Sequence, residues 1–195
     1  MNDSSTRPAA PWPDHSPNTD VVTLVGNPRQ GSRTRWVAER VADRLAEVLP
    51  GRHEPLTVEL ADLAARVHQP AEPDVAAARR VVANARVAVV ATPVYKASYT
   101  GLLKTFLDGY GPEGLADVVA VPVVVTGTPA HALVGEVHLR PLLAELGATV
   151  PARALVVTEA EISRLDEVLQ VWFGRWDDAL RAALPGVRAV EGVLP

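Results

Sequence analysis

The stretch VVTLVGNPRQGSRT, residues 21–34, decides the fold of this chain. It opens on the apolar run VVTLV, which is typical of a parallel strand buried on both faces. Gly26 then lets the chain turn, and Ser32 is a suitable N-cap for a helix, because apolar residues recur at helical spacing after Thr34. The stretch therefore predicts a strand, a short loop and a helix, which together open an α/β sheet.

The same alternation of short apolar runs and helical patterns continues along the chain. The run at 56–60 alternates apolar and polar residues, as an edge strand does, whereas the others are nearly continuous. Pro141 lies inside the fourth helical pattern, so we expect a kink or a restarted helix there, and Gly147 ends that pattern. Five strands alternating with five helices predict a doubly wound parallel α/β sheet with helices on both faces, in the flavodoxin-like order 2-1-3-4-5. The predicted strands are 21–25, 56–60, 87–92, 119–126 and 154–158, and the predicted helices follow Thr34, span 74–85, and show apolar stripes over 102–110, 139–146 and 162–184.

Composition limits the class of protein. The chain has 195 residues, 48% of them hydrophobic, and a net charge of −4, which suits one medium domain and gives no support to a nucleic-acid partner. It has no cysteine, so disulfides, thiol catalysis and cysteine-bound metals are excluded. With no apolar run of about 18 residues, we expect a cytoplasmic protein without a membrane partner. We expect a disordered tail over 1–20, one domain over 21–185 and a C-terminal tail over 186–195.

The loop GNPRQGSRT, residues 26–34, is the first candidate site. The unpaired N–H groups and the positive end of the helix that follows it favour an anion. Hydroxyls and two arginine side chains within the loop can add hydrogen bonds, some of them charge-assisted. Its glycines match neither a G-x-G-x-x-G fingerprint nor a Walker loop. The loop thus predicts a phosphate site, with a capped helix and surface arginines as the alternative.

Two further loops should reach the same place. In this sheet order a crevice opens between the carboxyl ends of strands 1 and 3, so the loop at 92–99 should face the first loop. It lies in ATPVYKASYTGLLKTFLD (91–108), whose apolar and aromatic character suits a flat ring system, although a tyrosine-capped turn explains it nearly as well. TGTPAH (126–131) can present N–H groups to the same crevice. Together the loops predict a ring-bearing cofactor with a phosphate.

The residues that carry acid–base, nucleophilic or metal chemistry are not arranged for it. No G-x-S-x-G elbow occurs, and the five histidines lack the H-E-x-x-H and H-x-x-E-H spacings of metal sites. His131, near a helix start, is more typical of a cap or packing residue than of a general base. These patterns give little basis for a nucleophilic or metal site, and we predict no metal ligand.

These loops resemble those of the NADPH-dependent FMN reductases of flavodoxin-like fold, over about residues 21–158. The resemblance is greatest to the branch that supplies reduced FMN to a separate monooxygenase, such as alkanesulfonate monooxygenase. GNPRQGSRT resembles that family's G-S-P-R-x-x-S-R-T loop, ATPVYKASYTGLLKTFLD the segment along the isoalloxazine, and TGTPAH with HLRPLLAELGA (138–148) the third flavin loop and its helix. Asn27 replaces the commoner serine. Gly127-Thr128 replaces the family's usual Gly-Gly, and we expect the added Cβ to tighten or tilt the flavin contact.

The resemblance implies an activity and a set of binding residues. The implied reaction is hydride transfer from NADPH or NADH to N5 of FMN, by a homodimer or homotetramer that supplies a partner monooxygenase. Such a reaction requires no side-chain acid or base, so the resemblance implies binding residues and no catalytic residue. An enzyme that retains FMN and reduces quinones or azo compounds stays open, as does a non-enzymatic flavodoxin-like electron carrier. The implied residues are Arg29, Ser32, Arg33 and Thr34 for the FMN phosphate, Pro93, Val94, Tyr95, Lys96 and Ala97 for the flavin ring and ribityl chain, and Gly127 and Thr128 for the pyrimidine end.

Overall fold

The computed structural model describes residues 20–69 and 71–184. The expected tails, 1–20 and 186–195, therefore lie outside the described residues except for Asp20. The strands are β1 (Val21–Val25), β2 (Leu56–Glu59), β3 (Val87–Pro93), β4 (Val119–Thr126) and β5 (Leu155–Thr158). The α-helices are α1 (Arg33–Val48), α2 (Pro73–Ala83), α3 (Gly101–Leu107), α4 (Arg140–Glu145) and α5 (Leu165–Ala183).

The strands form one parallel sheet in the order β2-β1-β3-β4-β5, which confirms the predicted topology. The apolar runs β1 and β4 are buried throughout, whereas β2 lies at the edge and is only partly covered. Val25 of β1 is in register with Ala91 of β3, and Thr92 of β3 with Val124 of β4. The loops that follow these three neighbouring strands therefore leave the sheet side by side, at the carboxyl ends of the strands.

Helices cover both faces of the sheet, because successive strand residues point to opposite sides. Val21 and Val25 pack with α1 and α5 in one apolar cluster. Val22 and Leu24 pack with α2, α3 and α4 in the other. Among the described residues, no helix is long and apolar enough to cross a membrane.

The helical regions after β4 and after β5 each begin with a segment of another helical type before the α-helix. A π-helical segment at Gly135–Leu139 precedes α4, and Pro141 lies in the first turn of α4, which confirms the predicted restart. The helix α5 begins at Leu165, although the apolar stripe was predicted from residue 162. The difference arises because a capping box between Thr158 and Glu161 starts a 3-10 turn at Glu159–Arg164 first.

One threonine joins the chain after β1 to the helix after β3. The Thr100 hydroxyl donates to the Gly26 carbonyl oxygen at 2.5 Å and accepts the Leu103 N–H at 3.1 Å, as the N-cap of α3. The Thr100 N–H in turn donates to the Thr92 hydroxyl oxygen at 3.2 Å. A Cβ added at Gly26 would lie 2.7 Å from the Leu103 Cβ, so only glycine lets the two segments approach this closely.

We predict that Thr100→Val lowers the free energy of unfolding by about 2 kcal/mol, because it removes a helix cap and leaves the buried Gly26 carbonyl without its donor. Chemical denaturation measures this loss. Thr105→Val is the matched control, since the Thr105 hydroxyl bonds the Gly101 carbonyl on the exposed side of the same helix. The control should lose about 0.5 kcal/mol or less. Equal losses in the two variants would contradict the joining role of Thr100.

Candidate functional site

The loop at residues 26–34, called the phosphate loop below, is closed on itself by Asn27. The Asn27 Oδ1 accepts the Arg29 N–H at 2.9 Å, and its Nδ2 donates to the Thr34 hydroxyl oxygen at 3.0 Å. Asn27 is buried, and its bond to Thr34 is shielded from water, whereas its bond to the Arg29 N–H is partly buried. The residue that replaces the family's commoner serine thus organises the loop from inside.

The phosphate loop leads into α1 through a glycine and a serine cap. Gly31 has a φ of +59°, a left-handed conformation that favours glycine. The predicted N-cap is confirmed, because the Ser32 hydroxyl oxygen accepts the Arg35 N–H at 3.2 Å. The first turn of α1 contains no acidic residue. Its N–H groups therefore lie beside no carboxylate of their own turn, as an anion site at a helix start requires.

The predicted phosphate ligands occupy different positions in this loop. Arg29 and Arg33 are exposed, and Ser32 is partly so. Thr34 is buried, and its hydroxyl oxygen already accepts from Asn27 while keeping its own hydrogen to donate. Two guanidinium groups, two hydroxyl hydrogens and the helix start make a donor set that fits a phosphate dianion.

Arg33 also has a carboxylate partner that sequence reasoning missed. Its Nη1 lies 3.2 Å from the Oε2 of Glu159, the first residue after β5, and both side chains are exposed. The neighbouring Glu161 carboxylate accepts the Thr158 hydroxyl at 2.7 Å and the Thr158 N–H at 2.9 Å. These hydrogen bonds lower the pKa of Glu161 and fix the turn that presents Glu159.

The loop after β3 carries a tight two-residue turn. The Tyr95 N–H donates to the Ser98 carbonyl at 2.9 Å, and the Ser98 N–H donates back at 3.1 Å. The central residues Lys96 and Ala97 have φ of 51° and 61°, which a type I′ turn requires but which side chains disfavour by about 1–2 kcal/mol per residue. The predicted ring-binding residues Pro93 and Val94 are partly buried before the turn, whereas Tyr95, Lys96 and Ala97 are exposed on it. Strain of this kind recurs at functional sites.

The loop after β4 is shaped by its threonines. The Thr126 hydroxyl donates to the Thr128 carbonyl at 3.1 Å and accepts the Thr128 N–H at 3.3 Å. Thr128 has an extended φ of −148°, so its side chain causes no backbone strain, and its hydroxyl oxygen accepts the Ala130 N–H. Gly127 is exposed, and a Cβ added there would meet no atom within 4 Å. The expected change in the flavin contact at Thr128 stays a prediction.

The structure thus places all the predicted binding residues at the carboxyl ends of β1, β3 and β4, on the three loops there and on the adjoining ends of α1 and β3. Sequence reasoning missed Glu59, Arg35 and Thr100, whose hydrogen bonds fix these loops to the rest of the fold. A lone carboxylate at the end of the edge strand was the available signal for Glu59. Within 20–69 and 71–184, no group of three His, Asp or Glu side chains is placed to hold a metal ion.

A parallel sheet of this order, with loops meeting at the carboxyl ends of β1, β3 and β4, defines a flavodoxin-like α/β protein. The model of the NADPH-dependent FMN reductase family matches residues 19–161. The chain belongs to this family, and it is accordingly a flavin reductase with FMN and NAD(P)H as its cofactors.

Individual relatives agree with this assignment. An FMN reductase (NADPH) of Pseudomonas putida is 31% identical over 150 residues, which cover 73% of this chain and 73% of the relative. The NADH-dependent FMN reductase SfnE of Pseudomonas putida is 32% identical over 149 residues, covering 74% and 79%. The crystal structure of apo NADH:FMN oxidoreductase (EMOB) superposes with a TM-score of 0.74 at 30% identity, over 90% of this chain and 96% of that one.

We predict that Ala97→Gly raises the free energy of unfolding by about 0.5–1 kcal/mol, because relief of the left-handed strain exceeds the added entropy of the unfolded chain. Thermal and urea denaturation measure the gain. Ala132→Gly is the control, since Ala132 is exposed with an ordinary φ of −58° and should lose stability. A loss in both variants would show that the Ala97 backbone is not strained.

Proposed function

We propose that this flavin reductase binds the FMN phosphate on the phosphate loop, with the ring beside the Tyr95–Ser98 turn and the pyrimidine end at Gly127. The observation that carries the proposal is the donor set around the first turn of α1, which contains no acidic residue. The Thr100 hydroxyl, bonded to the Gly26 carbonyl, fixes the start of the same loop against the loop after β3. Bound FMN supplies the acceptor for a hydride from reduced nicotinamide. The chain contributes binding and orientation.

Each loop has a separate task in this proposal. The Arg29 and Arg33 guanidiniums and the Ser32 hydroxyl hold the phosphate by charge-assisted hydrogen bonds. The strained turn holds Tyr95 in place without rearrangement on binding, since its two reciprocal backbone bonds are already formed. Because Thr128 gives its N–H to the Thr126 hydroxyl, we assign to the Gly127 N–H the stabilisation of negative charge that develops at the pyrimidine end.

We further propose that reduced FMN is released to a partner monooxygenase. Both guanidiniums of the phosphate loop are exposed, and Glu159 competes with a phosphate for Arg33. Because the pair is exposed, this competition lowers the affinity for the phosphate only slightly, in the direction that an exchangeable flavin requires. The resemblance to the branch that feeds a separate monooxygenase supports the same conclusion.

We predict that NAD(P)H oxidation depends on added FMN and that Arg33→Ala raises the Kd for FMN about tenfold. One charged hydrogen bond contributes about 1.5–3 kcal/mol, and the Glu159 pair offsets part of it. Stopped-flow measurement of NAD(P)H oxidation with FMN, FAD and riboflavin tests the dependence on FMN. Fluorescence titration measures the Kd for FMN. Arg52→Ala is the control, since Arg52 is exposed and pairs with Glu54 away from the loop.

The outcomes separate the alternatives. Oxidation of NAD(P)H at the same rate without flavin would contradict the proposal that added FMN accepts the hydride. Flavin that survives gel filtration, together with ping-pong kinetics on a quinone, would favour an enzyme that retains its FMN. A stable one-electron semiquinone on titration would favour an electron carrier.

We also propose that the protein is a homo-oligomer that uses a groove of about 580 Å³ between β5 and α5, whose lining includes no residue of the phosphate loop. Its apolar wall includes Leu133 and Val171, which are 62% and 75% exposed. Three carboxylates and three arginines surround this wall, so a two-fold axis can set opposite charges against each other in a second copy. Those residues are Glu136, Glu161, Glu167, Arg153, Arg164 and Arg175.

We predict that Val171→Glu reduces the oligomer to a smaller species, because it buries a carboxylate in the apolar wall of the contact. Light scattering coupled to gel filtration measures the mass. Gln170→Glu is the matched control, since it adds the same charge at a neighbouring exposed position outside the groove lining. An unchanged mass in Val171→Glu, or a monomeric parent protein at micromolar concentration, would contradict the proposed contact.

A further inference from the structure

We infer that Glu59 is a positioning residue for the phosphate loop and that it thereby sets the preference of the enzyme for a phosphorylated flavin. The inference rests on the proposed FMN site. Glu59 ends the edge strand β2 and is only 4% exposed. Its Oε1 accepts the Gly31 N–H at 2.8 Å, and its Oε2 accepts Arg35 Nη1 at 2.8 Å.

A buried carboxylate is retained only where its partners compensate for lost hydration. Here the compensation comes from the phosphate loop and from the first turn of α1, the two elements that form the anion site. Arg35 also donates through Nε to Glu39 at 2.8 Å, and Glu39 accepts the Thr57 hydroxyl at 3.0 Å. Hydrogen bonds to Glu39 and then Glu59 raise the pKa of the Arg35 guanidinium, so Arg35 remains charged. It therefore links β2 firmly to α1.

The bond to Gly31 acts at the point where the chain direction is set. Gly31 has a left-handed backbone and immediately precedes Ser32, the N-cap of α1. Holding the Gly31 N–H fixes the angle at which the chain enters the helix whose first-turn N–H groups form the anion site. Asn27 fixes the same loop from the other side, through Arg29 and Thr34. Glu59 is thus a buried external anchor of the loop, in addition to the Thr100 bond to Gly26, and Asn27 is its internal one.

Charge distinguishes positioning from direct binding. Two carboxylates share one guanidinium in this network, so it carries a net negative charge beside the proposed phosphate. A negative network cannot attract a phosphate, and its contribution must come from geometry. Loss of Glu59 should therefore weaken the binding of FMN, whose phosphate contacts the loop in the proposed site. The binding of riboflavin should be unaffected, because riboflavin has no phosphate.

The test compares FMN and riboflavin binding to Glu59→Ala, Glu59→Gln and the parent protein. We expect Glu59→Ala to raise the Kd for FMN about tenfold, with the Kd for riboflavin changed less than twofold and kcat at saturating FMN unchanged. Glu59→Gln retains an acceptor for the Gly31 N–H and should stay within threefold of the parent. Glu47→Ala is the matched control, since Glu47 pairs with Arg44 at 3.2 Å on the exposed surface of α1.

Equal losses for FMN and riboflavin in Glu59→Ala, or an unchanged FMN affinity, would overturn the inference. A parent protein that binds both flavins equally would instead overturn the proposed phosphate site. Should Glu59→Ala not fold, Glu59→Asp carries the same test, because it keeps the charge and draws the carboxylate back by one methylene. That variant should bind FMN at least threefold more weakly with riboflavin unchanged, and equal effects on both flavins would overturn the positioning role.

Discussion

The hydrogen bond from the Thr100 hydroxyl to the Gly26 carbonyl is the contact on which the site depends. It spans two strands of the sheet and joins a residue that leaves β1 to one that starts α3. The same hydroxyl accepts the Leu103 N–H, so one side chain caps a helix and fixes a loop. Because the bond is buried, water does not compete for it. The distance between the phosphate loop and the loop after β3 is therefore set by the scaffold before any cofactor binds.

This fixed distance allows the loops themselves to depart from relaxed geometry. The Tyr95–Ser98 turn places two side-chain-bearing residues at positive φ, a conformation that persists only where the flanking elements over-determine it. β3 and α3 are the flanking elements, and both are anchored in the apolar core. Stability is thus concentrated in the sheet, whereas the backbone strain lies in the loop at the carboxyl end of β3.

Sequence patterns were sufficient for the features that depend on local chemistry. The apolar runs predicted every strand to within one residue, and Ser32 and Pro141 predicted a cap and a helix restart. Contacts between distant residues left no such pattern. Glu59 fitted the polar positions of an edge strand, and its bond to Gly31 arises only when β2 lies beside β1. The pair between Arg33 and Glu159 likewise depends on where β5 ends. The assignment of individual flavin ligands stays a prediction.

The charges around the phosphate loop are consistent with the proposed exchangeable binding of an anion. Arg33 contacts Glu159, and Arg35 contacts Glu59, so each arginine near the start of α1 already has a carboxylate. The two pairs differ in burial. The exposed Arg33 pair exchanges readily with solvent and contributes little, so a phosphate can displace Glu159 at small cost. The Arg35 pair includes a buried carboxylate, and breaking it would leave that charge without compensation. Arg33 therefore keeps a guanidinium that a phosphate can reach, whereas Arg35 is committed to the buried Glu59 carboxylate, and the proposed site rests on this difference.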